Sequence, residues 1–281
     1  MNSGAILSHG TGSNPMINTT TVTVNTGGTW DMNTRQETIG YISGGGNIIV
    51  SSNTDPSLQL SLGGAGSGSI FSGIISGTGT GTLRISGSGT ETQIFSGANT
   101  YSAPTAITGG MLNIRNATAL GSTTAGTSVS TGAALQIENG ITVGAEALTL
   151  SGTGVAADGA LRSISGTNVW QGTVTLGSAT RINSDAGTLT FNTAATSITG
   201  TQNLTMGGAG NCSINGTITT GTGTVSKDGV GALTLSGANA YSGGTILTSG
   251  TLNINNSSAL GNLLVHLQSM GELSTIPVVV L

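Results

Sequence analysis

The chain has 281 residues, of which 49 are glycine, about one in six against a usual level near 7%, and only 6% carry charge where about 25% is ordinary. Its net charge of -4 and six scattered cations (Arg35, Arg84, Arg115, Arg162, Arg181 and Lys227) exclude a phosphate-binding footprint, and 3% aromatic residues leave no platform for stacking bases. Nucleic acid is not an expected partner.

A Gly, Ser and Thr content this high also suits a disordered linker, but the mean hydropathy is +0.21, only four prolines occur, and apolar residues arrive in short pulses from end to end. Such a chain collapses rather than staying solvated. The lone Cys212 excludes an intramolecular disulfide and a cysteine zinc site. No apolar run approaches the length of a membrane helix, so this segment is not expected to insert into a bilayer. Residues 1–20 have neither a basic nor an apolar leader region, so any export signal is expected outside them.

In chain order the pulses are Leu58, Leu60, Leu62; Leu83, Ile85; Leu112, Ile114; Leu135, Ile137; Leu148, Leu150; Val174, Leu176; Leu189, Phe191; Leu204, Met206; Leu233, Leu235; and Leu252, Ile254. A spacing of two sends these side chains to one face of a strand and the intervening polar residues to the other. Gly-rich turns such as "SGTGTG" from Ser76 separate them, and no capped helical period appears before residue 261. The tail from Asn262 changes texture: Leu263, Leu267 and Met270 fall at helical spacing, consistent with a cap over the last edge or with a truncation.

One phrase is written twice. "SGANTYSAPTAITGGMLNIRNATALG" from Ser96 and "SGANAYSGGTILTSGTLNINNSSALG" from Ser236 agree at 16 of 26 positions without a gap. Long-range duplication, uniform texture and few large apolar residues predict a β-solenoid, in which each coil buries its apolar face against the next. Coils of about 20 residues would number roughly 14 and make a rod on the order of 65 Å long.

The second copy, "GALTLSGANAYSGGTILTSGTLNINNSSALG" from Gly231, resembles the autotransporter-associated β-strand repeat of bacterial surface proteins through Leu233, Leu235, Gly237, Asn239, Tyr241, Gly243, Thr245, Gly250, Leu252 and Leu260. The first fits through Phe95, Gly97, Asn99, Tyr101, Thr105, Gly110, Leu112 and Leu120 but departs at Ala103 and Pro104, where Gly is usual. The resemblance covers roughly residues 70–261, with repeats at about 75–121 and 218–261. Residues 1–69 then form N-terminal coils with the weakest repeat signal, and 262–281 the tail. It implies an all-β, right-handed parallel β-helix, displayed at the cell surface or secreted, with its C-terminal membrane barrel not represented at this C-terminus. Partners implied are host or matrix glycans or proteins, or the same protein on another cell.

Chemistry is expected to be sparse. The ten acids are nearly all isolated, with Asp158 beside Arg162 and Asp185 beside Arg181 the nearest to a catalytic grouping on a β-helix. His9 and His266 lie near opposite ends, which argues against a triad or a histidine metal site. "GTGVAA" from Gly152 fits a dinucleotide fingerprint without its helix, and "GGAGNC" from Gly207 and "GGAGSG" from Gly63 lack the carboxylate of a calcium-binding repeat. No cofactor is predicted, no catalytic residue, and no enzyme. Thr-x-Thr pairs (Thr21 and Thr23, Thr173 and Thr175, Thr188 and Thr190) raise an ice-binding face, which their irregular spacing argues against. The positions expected to carry the repeat structurally are Asn99, Tyr101, Leu112, Ile114, Leu233, Leu235, Asn239, Tyr241, Leu252 and Ile254.

Overall fold

A computed structural model describes residues 2–8, 20–53, 55, 57–63, 66–193 and 195–261, and divides into two compact units, Met1–Gln136 and Ile137–Leu281. His9, His266 and the tail from Asn262 lie outside the described residues.

The first unit is built from parallel ladders whose strands recur once per coil. One joins Ile6–Ser8, Thr29–Asp31, Asn47–Ile49 and Ile74–Ser76. A second runs through Glu37–Ile39, Leu58–Ser61, Leu83–Ser86, Thr105–Ile107 and Thr127–Val129. A third joins Ser69–Phe71, Thr92–Phe95 and Gly110–Ile114. Side chains alternate across each strand: Leu58 and Leu60, and Leu83 and Ile85 on the next coil, are fully buried and stack in register, while Gln59 and Arg84 between them face outward. Burying one such leucine contributes about 2 kcal/mol, so order accumulates along the stack.

The second unit repeats the scheme. Six strands, Thr142–Val143, Thr167–Trp170, Thr188–Phe191, Asn211–Ile214, Ala232–Leu235 and Thr251–Ile254, make one parallel ladder. Strand Val174–Ser184 serves two more. Its first half pairs with Leu148–Gly152 and Thr196–Gly200, and its second half with Leu161–Ser163 and Leu204–Gly207. Thr196–Gly200 passes the first ladder on to Thr217–Thr219, and Leu204–Gly207 passes the second to Val225–Lys227 and Thr245–Leu247. The protein is thus a parallel β-solenoid, and its described residues hold no α-helix, Val155–Ala157 being a 3-10 turn.

The coils are longer and fewer than the sequence texture suggests. Partners in the ladders lie from 18 residues apart (Thr29 and Asn47) to 28 apart (Gly152 and Thr180), so the solenoid makes about 11 turns rather than 14. Backbone register constrains only the strands. The turns between them are free to lengthen, and they absorb the difference.

Candidate functional site

The most specific letters of the duplicated phrase turn inward. Asn99 is 2% exposed; its Oδ1 accepts the Ile75 N–H from the preceding coil at 2.8 Å, and its Nδ2 donates to the Ala119 carbonyl of the following coil at 2.7 Å. Asn239 makes the same two bonds, from the Ile218 N–H at 2.8 Å and to the Ala259 carbonyl at 2.6 Å. One buried amide therefore satisfies a donor and an acceptor that the ladders leave open.

Two residues on, the Tyr101 ring is fully buried, with its hydroxyl 2.8 Å from that of Thr105; Tyr241 and Thr245 repeat the contact at 2.6 Å. Tyr241 also donates to the Ala259 carbonyl at 3.4 Å. Burial pushes the Tyr241 hydroxyl above its ordinary range. Gly121 and Gly261 close the phrase at φ +79° and +81°, where an added Cβ would meet the carbonyl oxygen of Tyr101 at 2.3 Å or of Tyr241 at 2.2 Å. Asn, Tyr, Thr and the final Ala-Leu-Gly are thus parts of one clamp across coils.

The aliphatic members complete it. Leu112 and Ile114 pair with Gln93 and Phe95, Leu233 and Leu235 pair with Leu252 and Ile254, and all but the half-buried Ile254 are buried. None of the ten positions offers a ligand a free polar group or an exposed ring. Residues 88–114 and 225–254 match the passenger-associated transport repeat. Over these residues, on a parallel β-solenoid, the chain is similar to autotransporter passengers. No curated protein and no solved structure matches this passenger-like chain.

The charged groups gather differently from their order in the sequence. Arg162 does pair with Asp158, its Nη1 donating at 3.1 Å, but its Nε also donates to Asp185 at 2.6 Å. Arg181 takes Asp228 instead, in a two-pronged contact of 2.7 and 2.8 Å, while its Nε donates to Asn183. The expected Asp185–Arg181 pair is therefore corrected: Asp185 sits one coil on from Arg162, 23 residues away in the chain, and Asp228 two coils on from Arg181, 47 residues away. Among the described residues no group of His, Cys, Asp and Glu is placed to hold a metal ion, and no helix is long and apolar enough to cross a membrane.

Three buried charged residues escaped the sequence reading, Glu146 at 2% exposure being one of them. Glu37 is 1% exposed, and burial raises its carboxyl from 4.5 to about 7. Lys227 is 3% exposed, its ammonium donating to the carbonyls of Asp228, Gly229 and Ser249; burial draws its pKa down, with Arg181 adding to that and Cys212 and Asp228 opposing it. The signal was parity: Lys227 stands two residues after the core residue Val225, and Glu37 two before Ile39. Cys212 is buried too, its thiol pushed up to about 12 by desolvation, which makes it a packing residue and a poor nucleophile.

The outer face of the second unit also departs from expectation. Thr149, Thr175, Thr199 and Thr219 stand in direct register on four successive coils. Unequal spacing in sequence, 26, 24 and 20 residues, disappears in space because the turns take it up. Beside this file an uncharged depression of about 420 Å³ is lined by Gln171, Thr173, Asn192, Thr193 and Thr196, with three alanines.

Proposed function

We propose that this chain is a non-enzymatic passenger segment of a bacterial protein at the cell surface or outside the cell, acting as an adhesin or structural stalk. The observation that carries this reading is the duplicated clamp, which spends the repeat's most specific polar side chains on joining coils and leaves recognition to the outer faces and turns. Such a segment binds host or matrix glycans or proteins, or another copy on a neighbouring cell, through many weak polar contacts that add by avidity. Immobilised glycan and matrix-protein panels test it, run beside turnover assays on neutral and acidic polysaccharides. Retention on a panel without turnover supports the adhesin; cleavage of any polymer removes it.

One observation favours a second reading, a carbohydrate-active enzyme: Arg162 draws Asp158 and Asp185 together from two coils. Paired carboxylates cleave glycosides across an open gap that admits the sugar and, in inverting enzymes, a water. Here the guanidinium stands between them. The enzyme reading requires turnover that Asp185→Ala abolishes.

A further inference from the structure

The threonine file is two-dimensional. Across the strands, Thr149, Thr175, Thr199 and Thr219 repeat at the spacing of a parallel ladder, about 4.8 Å. Thr217 precedes Thr219 by two residues along its strand, about 6.6 Å on the same face, and Thr173, just ahead of the strand that opens at Val174, precedes Thr175 by the same interval. On the coil between them a register shift places Thr196 opposite Thr217, so the second column continues.

The two columns are held differently. In the second, hydroxyls turn back on the protein: Thr173 donates to the Thr196 carbonyl at 3.1 Å, and Thr217 to the Thr196 hydroxyl at 3.3 Å. In the first, Thr219 at one end donates to the Ile198 carbonyl at 3.5 Å, while Thr149, Thr175 and Thr199 make no side-chain hydrogen bond to protein, so their hydroxyls face solvent. Beneath both, Leu148, Val174, Ile198 and Ile218 are buried and fix the backbone, while β-branching restricts each threonine at χ1. No charged side chain interrupts the grid.

We propose that this face of the second unit binds ice. A flexible or single-point ligand has no use for a rigid, charge-free lattice of alternating methyl and hydroxyl groups. A crystal face does, because the oxygens of ice repeat along two directions on the same scale of a few ångströms, and waters ordered over the methyls and held by the free hydroxyls match that lattice. The inference stands on register alone and is independent of the passenger's partners.

The test is partitioning of the full chain into a slowly growing ice hemisphere, with recrystallisation inhibition as a second readout. The chain is expected to enrich in ice, and Thr175→Tyr with Thr199→Tyr, at the centre of the grid, to cut that enrichment by about tenfold or more, the equivalent of one decade in affinity. Thr190→Tyr, on another ladder of the same unit, is expected to behave as the parent. Circular dichroism and thermal midpoints establish that the variants remain folded; should the double tyrosine variant unfold, Thr175→Val with Thr199→Val, which keeps shape and removes the hydroxyls, takes its place. Exclusion of the parent from ice, equal enrichment of parent and grid variants, or retention on crystalline cellulose but not on ice overturns the proposal.

Discussion

The first and second copies of the repeat reach the same clamp through different corners. Between Tyr241 and Thr245 the second copy has Gly243 and Gly244: an added Cβ on Gly243 would meet the Thr222 carbonyl oxygen at 2.4 Å, and Gly244 sits at φ +86°. The first copy has Ala103, buried at 3% exposure, and Pro104 in those places. Yet the carbonyl leaving each corner does the same task, accepting the Leu83 N–H at 2.9 Å from Pro104 and the Val225 N–H at 3.1 Å from Gly244. The Asn and Tyr–Thr bonds on either side are matched pair for pair. What the repeat preserves is the position of a few donors and acceptors; the backbone route between them is open to change.

Exchanging the corners breaks that comparison most sharply. Gly244→Pro asks a left-handed residue to take a proline φ and is expected to destabilise the second unit by more than about 3 kcal/mol, read as a shift in urea midpoint. Pro104→Gly in the first copy is compatible with any route and is expected to cost at most about 1 kcal/mol, through the entropy of the unfolded chain. Near-equal effects would mean the two corners are equivalent after all.

Removing the shared amide is the next largest step. Asn239→Ala strands the buried Ile218 N–H and leaves the Ala259 carbonyl with only the longer Tyr241 contact, and is expected to cost about 3 kcal/mol, with Asn99→Ala of similar size in the first unit. Hydrogen exchange provides the check: the Ile218 amide loses protection in one variant and the Ile75 amide in the other.

A third variant sharpens the contrast between the units by pH. Because Glu37 holds its proton to about pH 7 in the folded first unit and only to about 4.5 when unfolded, it costs nothing below pH 4.5. Between 4.5 and 7 the unfolded chain releases the proton first and stability falls; above 7 the cost is constant. Glu37→Gln is expected to raise stability by about 2 kcal/mol at pH 8 and to leave it unchanged at pH 4, as measured by denaturant titration. The smallest effect belongs to Tyr241→Phe and Tyr101→Phe, about 1 kcal/mol each for a lost buried hydroxyl contact, read as a shift in urea midpoint.

The strands and their inward faces were legible because alternation is local: Leu58 and Leu60, or Leu233 and Leu235, declare a buried face within three residues. The duplicated phrase announced stacked coils for the same reason. Coil length was not legible, since the turns that set it have no fixed count, and everything that depends on which residue lies one coil away was hidden with it. Asp185 stands four residues from Arg181 and 23 from Arg162, yet bonds the latter. Thr149, Thr175, Thr199 and Thr219 look scattered until the ladder aligns them. The inward charges Glu37 and Lys227 lay within reach of the alternation rule, but their polarity masked their parity.

The variable turns described above give the molecule a practical property. The coil from Thr142 to Val169 already accommodates the excursion through Val155–Ala157 without disturbing the Leu148–Val174 pairing. Foreign peptides grafted at that excursion are expected to extend it without altering the Leu148–Val174 alignment, which suits the chain to carrying inserted epitopes.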